Sequence, residues 1–339
     1  MHGNMIKRES ISPGLWTLAW RRLRADRVAM AALAVVGAFL LLLVLSASGL
    51  AAGDWEDEVA VNYAPPGFMG PDAATAALAR PQAPVPPNAF DPLAAELDVL
   101  KAEVRATHPP HAKALTLPFG ADKWGHDILK KTVKGGETSI VVGLVAAFVA
   151  VGLGTLFGAL SGFFGGVVDD LFNWFYSIFT SIPSILMILT VAAVLQQKGV
   201  MTIVLILGLT GWTGPYRLIR AEYIKHKARE YVMAADAIGA SNWRKMFSHI
   251  FPNVSHVALV QLSILVVGFI KAEVILSFLG FGVPVGTVSW GSMLNEAQNE
   301  LILGKWWQLA AAAGAMALLV TAFSLFTDAL RDALDPKLK

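Results

Sequence analysis

Cysteine is absent from all 339 residues, which excludes disulfide staples and thiolate metal sites and leaves the redox compartment open. Charge is scarce too: Asp, Glu, Lys and Arg make up 15% of the chain, against 55% hydrophobic residues. A water-soluble core of this size does not need that surplus, and lipid is its natural solvent. Neither sign of charge dominates. The 27 Lys and Arg against 25 Asp and Glu leave a net charge of +2, which gives no electrostatic reason for a nucleic-acid partner. Also missing are a Gly-x-x-x-x-Gly-Lys-Ser/Thr phosphate loop, a His-Glu-x-x-His zinc motif and a Gly-x-Ser-x-Gly nucleophile turn. No catalytic residue, bound cofactor or metal site is therefore expected, and energy for any work must come from another subunit. His108, His111 and His126 fall in one polar segment and read as solvated loop residues rather than as a nickel contact.

What the chain does contain is a series of apolar windows long enough to cross a bilayer, at about residues 28–50, 138–163, 171–195, 200–216, 254–280 and 307–326. They predict an all-α integral membrane protein of about six transmembrane helices. The first window exceeds the hydrophobic part of a signal peptide, so Ser46, Ala47, Ser48 and Gly49 are not read as a cleavage site. An even number of spans puts both ends on one side. Arg21, Arg22, Arg24 and Arg27, the loop at 217–245 and the tail at 331–339 then share that side, and their basic character makes it cytoplasmic.

The expected layout is an interfacial helix at 1–27, a first span at 28–50 and an outer segment at 51–137. A core of five further spans covers 138–327, with a cytoplasmic loop at 220–253 inside it, and a cytoplasmic tail follows at 328–339. Ser12 and Pro13 read as the start of the interfacial helix, whose Trp16, Trp20 and Leu23 recur at i, i+4, i+7 toward the lipid surface. In the outer segment, the Pro-rich stretches at 64–66 and 81–87 favour extended, solvated chain. From Asp91 and Pro92 a helix is expected, with Leu93, Leu97, Leu100 and Val104 as one apolar stripe covering a partner or the mouth of the membrane domain.

Gly154, Gly158, Gly162 and Gly166 are spaced four apart and predict a bare face for close helix packing. Pro183 predicts a kink in the third span. Lys271 and Glu273 sit late in an apolar stretch and point to different faces, so they do not pair within the helix. Lys271 is expected to snorkel. Glu273, with Ser277 one turn on, either gates or lines the transport path or bonds an adjacent helix. In the loop, residues up to Ile238 suit a helix that Gly239 ends; Ser241 caps a second one with Trp243, Phe247 and Ile250 on one side, closed by Pro252. Thirty ordered polar residues are more than a connection needs.

The order Glu230, Ala234, Ala235, Gly239, Ile250, Pro252 resembles the EAA loop of permease subunits of bacterial ABC importers. Residues 117–129, 273–282, 289–291 and 330–336 resemble the dipeptide, oligopeptide and nickel permeases, and in this order the C-type subunit of their permease pair. The resemblance implies the type I importer permease fold and a coupling helix before Gly239 that enters a cleft of the ATPase through Glu230, Ala234, Ala235, Asp236 and Gly239. It also implies partners: a second, B-type permease in a heterodimer, two ATPase subunits that hold ATP and Mg, a periplasmic substrate-binding protein, and the lipid of the bacterial inner membrane. Peptide cargo moved by alternating access is the expectation, with nickel chelates, opines and oligosaccharides left open. His126 stands where the family usually has Arg, Tyr231 and Val232 where two Ala are common, and the outer segment at about 54–114 is longer than expected. The rival reading, an ion-coupled secondary transporter, leaves the ordered loop unexplained.

Overall fold

The computed structural model describes residues 15–71, 73, 76, 93–107 and 113–334, and the elements among them are helices. Ser12, Pro13, the run at 81–87, Asp91, Pro92, His108, His111 and the tail beyond Leu334 lie outside the described residues. In chain order the helices are α1 (Leu15–Ala25), α2 (Arg27–Ala47), α3 (Ala94–Thr107), α4 (Ile128–Phe164), α5 (Gly166–Thr180), α6 (Ser184–Leu195), α7 (Val200–Thr210), α8 (Thr213–Lys227) and α9 (Glu230–Ala237). They are followed by α10 (Asn242–Phe278), α11 (Trp290–Ile302) and α12 (Trp307–Leu334).

Among the described residues, α2, α4, α10 and α12 are the continuous helices long and apolar enough to cross a membrane. The expected count of about six spans is roughly compatible with this, and two of the six windows are interrupted or short. At the third window the chain does more than kink: α5 stops at Thr180, α6 starts at Ser184, and the two axes differ by 83°. Pro183 cannot donate to the helix ladder, and its ring drives Ile182 out of the helical region, so the break falls where both effects meet. At the fourth window α7 has 11 residues, about 16 Å of helix, too short for a bilayer on its own. It yields at Gly211, where a Cβ would lie 2.3 Å from the Phe269 ring of α10.

The core is laid on α4, which starts ten residues before its apolar window because Asp127 caps it by accepting from the Leu129 amide at 2.8 Å. Val142, Ala146, Ala147 and Ala150 are buried against Ile203 and Leu207 of α7 and Val266 and Ile270 of α10. α8 lies along the next turns. A Cβ on Gly154, Gly158 or Gly162 would come 2.6, 2.8 or 2.6 Å from the carbonyl oxygens of Trp212, Tyr216 and Arg220. Gly166 does not belong to this face: it opens α5 beyond the Gly165 cap, with φ +52° and nothing within 4 Å. Because a backbone carbonyl cannot step aside, Gly158→Val is expected to cost about 1–3 kcal/mol of overpacking. Thermal unfolding in detergent should show a clear loss for Gly158→Val and a smaller one for Gly152→Val, since Gly152 meets nothing within 4 Å.

Two expectations about the flanks change. α1 turns Ala19 and Leu23 onto Ala333 and Leu334 at the end of α12, so Leu23 serves protein packing and Trp20 alone of that pair stays exposed. In the outer segment the first Pro-rich stretch is packed rather than solvated: Ala64, Pro65 and Pro66 are buried, and residues 59–67 bond the backbone of 114–125. The helix expected after Pro92 is present as α3, and its stripe of Leu93, Leu97, Leu100 and Val104 is exposed.

Candidate functional site

The basic loop is a knob built on three helices. α8 ends at Lys227, Arg229 turns the chain, and α9 runs for eight residues. Gly239 then takes φ +80°, the left-handed cap that its residue type permits. Ser241 accepts from the Arg244 amide at 3.4 Å and starts α10. Contrary to expectation, Pro252 does not close that helix. It sits in the first turn after a π-helical turn at Lys245–Ile250, and the helix runs on to Phe278. The wider turn removes the bond that the proline could not make.

Of α9, Val232 and Ala235 are buried, and Val232 packs with Phe163, Tyr223, Met246, Ile250 and Val254. Glu230, Ala234, Asp236 and Gly239 are exposed, as are Met233 and Ile238, the latter at 85%. Trp243 and Phe247 stack on each other at 5.5 Å on the exposed side, while Ile250 is buried, so these three do not share a face. The knob is held by short polar links. Lys245 donates to Asp236 at 2.5 Å, the Tyr223 hydroxyl to the Met246 carbonyl at 3.2 Å, and His226 Nδ1 lies 2.8 Å from the Tyr231 hydroxyl. Behind it, Arg220 of α8 makes two 2.6 Å bonds to Asp169 of α5, and Ser161 bonds the same carboxylate. A push on α9 therefore reaches α4, α5, α8 and α10 through packed or bonded contacts.

Farther along α10, Glu273 is fully enclosed at 0% exposure. Ser139 of α4 and Ser277 each donate to its carboxylate at 2.6 Å. Ser139 accepts from the Trp290 amide at 3.2 Å, and Ser277 from the Val283 amide at 3.3 Å. The group ties α4, α10 and α11 together. Ser277 also lines a cleft of about 770 Å³ at the end of the bundle opposite the knob, with Trp55, Trp124, His126, Lys198 and Glu296. Lys271 is exposed.

A second charged cluster closes that end. Buried Asp122 accepts from the Trp124 and His126 amides at 2.8 and 3.0 Å, and His126 Nδ1 lies 3.0 Å from it. Lys131, 4% exposed, donates to Asp122 at 2.7 Å, to Glu296 at 2.6 Å and to Gln308 at 3.3 Å. Burial alone would push Asp122 up, but the Lys131 charge and hydrogen bond and the two amides outweigh it and hold the carboxyl below its usual range. Sequence reading passed over this cluster. Asp122 lies in a stretch singled out for its resemblance, yet nothing in the order of residues signals that Lys131 meets Glu296, 165 positions away.

Glu300, in the same region, is buried with neither carboxylate oxygen hydrogen-bonded, and burial pushes it up to about 7 from an ordinary 4.5. The folded chain thus keeps this proton to near pH 7, whereas the unfolded chain releases it near 4.5. Stability is accordingly lost as pH rises between those values, and the full penalty stands above pH 7. Glu300→Gln should raise the melting temperature at pH 8 and leave it nearly unchanged at pH 5. Equal shifts at both pH values would contradict an enclosed carboxyl.

Two family profiles match the chain. Residues 154–339 match "Binding-protein-dependent transport system inner membrane component", and residues 14–66 match "N-terminal TM domain of oligopeptide transport permease C". The chain is 37% identical over 221 residues to the oligopeptide transport system permease protein OppC of Bacillus subtilis, covering 65% of this chain and 72% of the relative. To the dipeptide transport system permease protein DppC of Lactococcus lactis subsp. cremoris it is 30% identical over 325 residues, 94% of this chain and 90% of the relative. The dipeptide transport system permease protein DppC of Bacillus subtilis is 34% identical over 65% of this chain and 69% of its own length.

Proposed function

Because the chain belongs to the family of binding-protein-dependent transport system inner membrane components, it is a multi-pass permease subunit of an ABC importer and not an ion-coupled carrier, and we propose that its cargo is di- or oligopeptide. The names of its relatives support that cargo. The observation that carries the mechanism is the knob at 230–250, a short helix with exposed Met233 and Ile238 whose inner side is packed against α4, α8 and α10.

In this reading the knob, the N-terminal Arg cluster and the end of α12 face the cytoplasm of a bacterial inner membrane, where the knob docks into a separate ATPase that binds ATP and Mg. Glu230, Ala234, Asp236 and Gly239 line the contact, and Ala235 anchors α9 from beneath. Two ATPases, a second B-type permease and a soluble binding protein on the outer side complete the machine. Closure of the ATPases on ATP displaces α9, and the packing of Gly154, Gly158 and Gly162 against α8 carries the movement as a rigid unit to the spans. The pathway then opens outward to accept peptide and inward when the ATPases reset. Glu273 and Ser277 serve as a hinge point between α4, α10 and α11, at the floor of the outer cleft. Uptake of a labelled tetrapeptide into proteoliposomes holding the chain, its companion permease, the ATPases and the binding protein tests this. ATP-dependent uptake that needs the binding protein is expected; uptake driven by an ion gradient without ATP would overturn it.

A further inference from the structure

Non-helical backbone at membrane depth persists only where it is buried in protein or lines a water-filled cavity, because lipid offers its N–H and C=O groups no partner. The break between α5 and α6 violates this condition in the isolated chain: residues 180–184, five in a row, are all exposed. α6 also starts without a capping side chain. Opposite lies the second break, between α7 and α8. The two enclose a cleft of about 280 Å³ that receives Thr180 and Ser184 from one break and Thr210 and Thr213 from the other. No charged residue lines it. Thr180 and Thr210 donate to the carbonyls of Tyr176 and Ile206, one turn back, and keep their acceptor lone pairs. Ser184 and Thr213 make no side-chain hydrogen bond among the described residues.

We infer that this cleft faces the solute path and that Thr180, Ser184, Thr210 and Thr213 hydrogen-bond the main chain of a passing peptide, an inference that rests on the peptide-importer reading above. Ser184 and Thr213 can both donate and accept, as a peptide backbone does, Thr180 and Thr210 accept from its N–H groups, and without charge the four favour no particular side chain. A surface that must pass many sequences and hold none requires both properties.

The absence of cysteine makes a direct test available. Ser184→Cys and Thr213→Cys, each in the assembled complex in proteoliposomes, are exposed to a membrane-impermeant methanethiosulfonate during ATP turnover. Leu41→Cys, 60% exposed on the first span, is the lipid-facing reference. Both cleft positions should label roughly tenfold faster than position 41, a non-labelled peptide should slow them, and the modification should block uptake. If Ser184→Cys fails to assemble, Thr180→Cys takes its place. Labelling no faster than at position 41, or labelling that leaves uptake intact, overturns the inference. Uptake by the unlabelled parent separates the two claims: peptide uptake with an unreactive cleft overturns the cleft alone, and a reactive cleft in a complex that moves no peptide overturns the cargo.

Discussion

Ile238→Asp is expected to reduce ATP-driven uptake by the assembled complex roughly tenfold or more, with the melting temperature of the isolated chain unchanged. Ile238 caps α9 next to Gly239 and is 85% exposed, so in this chain its side chain supports nothing. Its value lies in what it meets. An aliphatic anchor desolvated at the centre of an interface commonly carries about 2 kcal/mol or more, and tenfold corresponds to about 1.4 kcal/mol. A carboxylate in its place would have to shed its water inside the ATPase cleft. Ala235→Glu would give an even larger loss but a less clear one. Ala235 lies on the buried side of α9, so a charge there disturbs the seating of that helix before any partner is considered. Comparing the two separates docking from folding.

Lys131→Met is expected to be the most destabilising single change at the opposite end. Its ammonium is the shared counterion of Asp122 and Glu296, and with Asp122 fully buried its removal leaves a desolvated carboxylate. Breaking a buried pair from one side costs about 3–5 kcal/mol. In detergent that should lower the melting temperature by roughly 10 °C. Adding Asp122→Asn removes the stranded charge while keeping an acceptor for the Trp124 and His126 amides, so the double variant should recover at least half of the loss. A single variant that melts with the parent would mean that water reaches the Lys131 site.

The helical class and the knob were both legible in the sequence, because hydropathy and the punctuation of Gly239 and Ser241 are local signals. Legibility failed where a local signal has two outcomes. Pro183 reads as a kink, whereas the chain breaks there with a bend of 83°, a size that the proline alone does not set. Pro252 reads as a terminator, but the π turn before it absorbs the lost hydrogen bond and the helix continues. Gly166 keeps the four-residue spacing of its predecessors, yet the helix ends at Phe164 and the spacing no longer refers to one face. The Lys131–Glu296 link of the buried cluster and the Asp169–Arg220 pair were illegible for another reason: each joins groups more than 50 positions apart, a relation set by how the helices pack.

The docking of α9 into an ATPase is tested most directly by site-specific crosslinking. With no native cysteine in this chain to interfere, Ala234→Cys is introduced on the exposed side of α9 and Val285→Cys at the exposed opposite end, and each is labelled with a short thiol-reactive photocrosslinker before assembly and then illuminated in the purified complex, so that no thiol is required of the ATPase. The account predicts a crosslink from position 234 to the ATPase subunit, altered by ATP, and none from position 285. Crosslinking of the ATPase to position 285, or its absence at 234 in a complex that hydrolyses ATP, would contradict it.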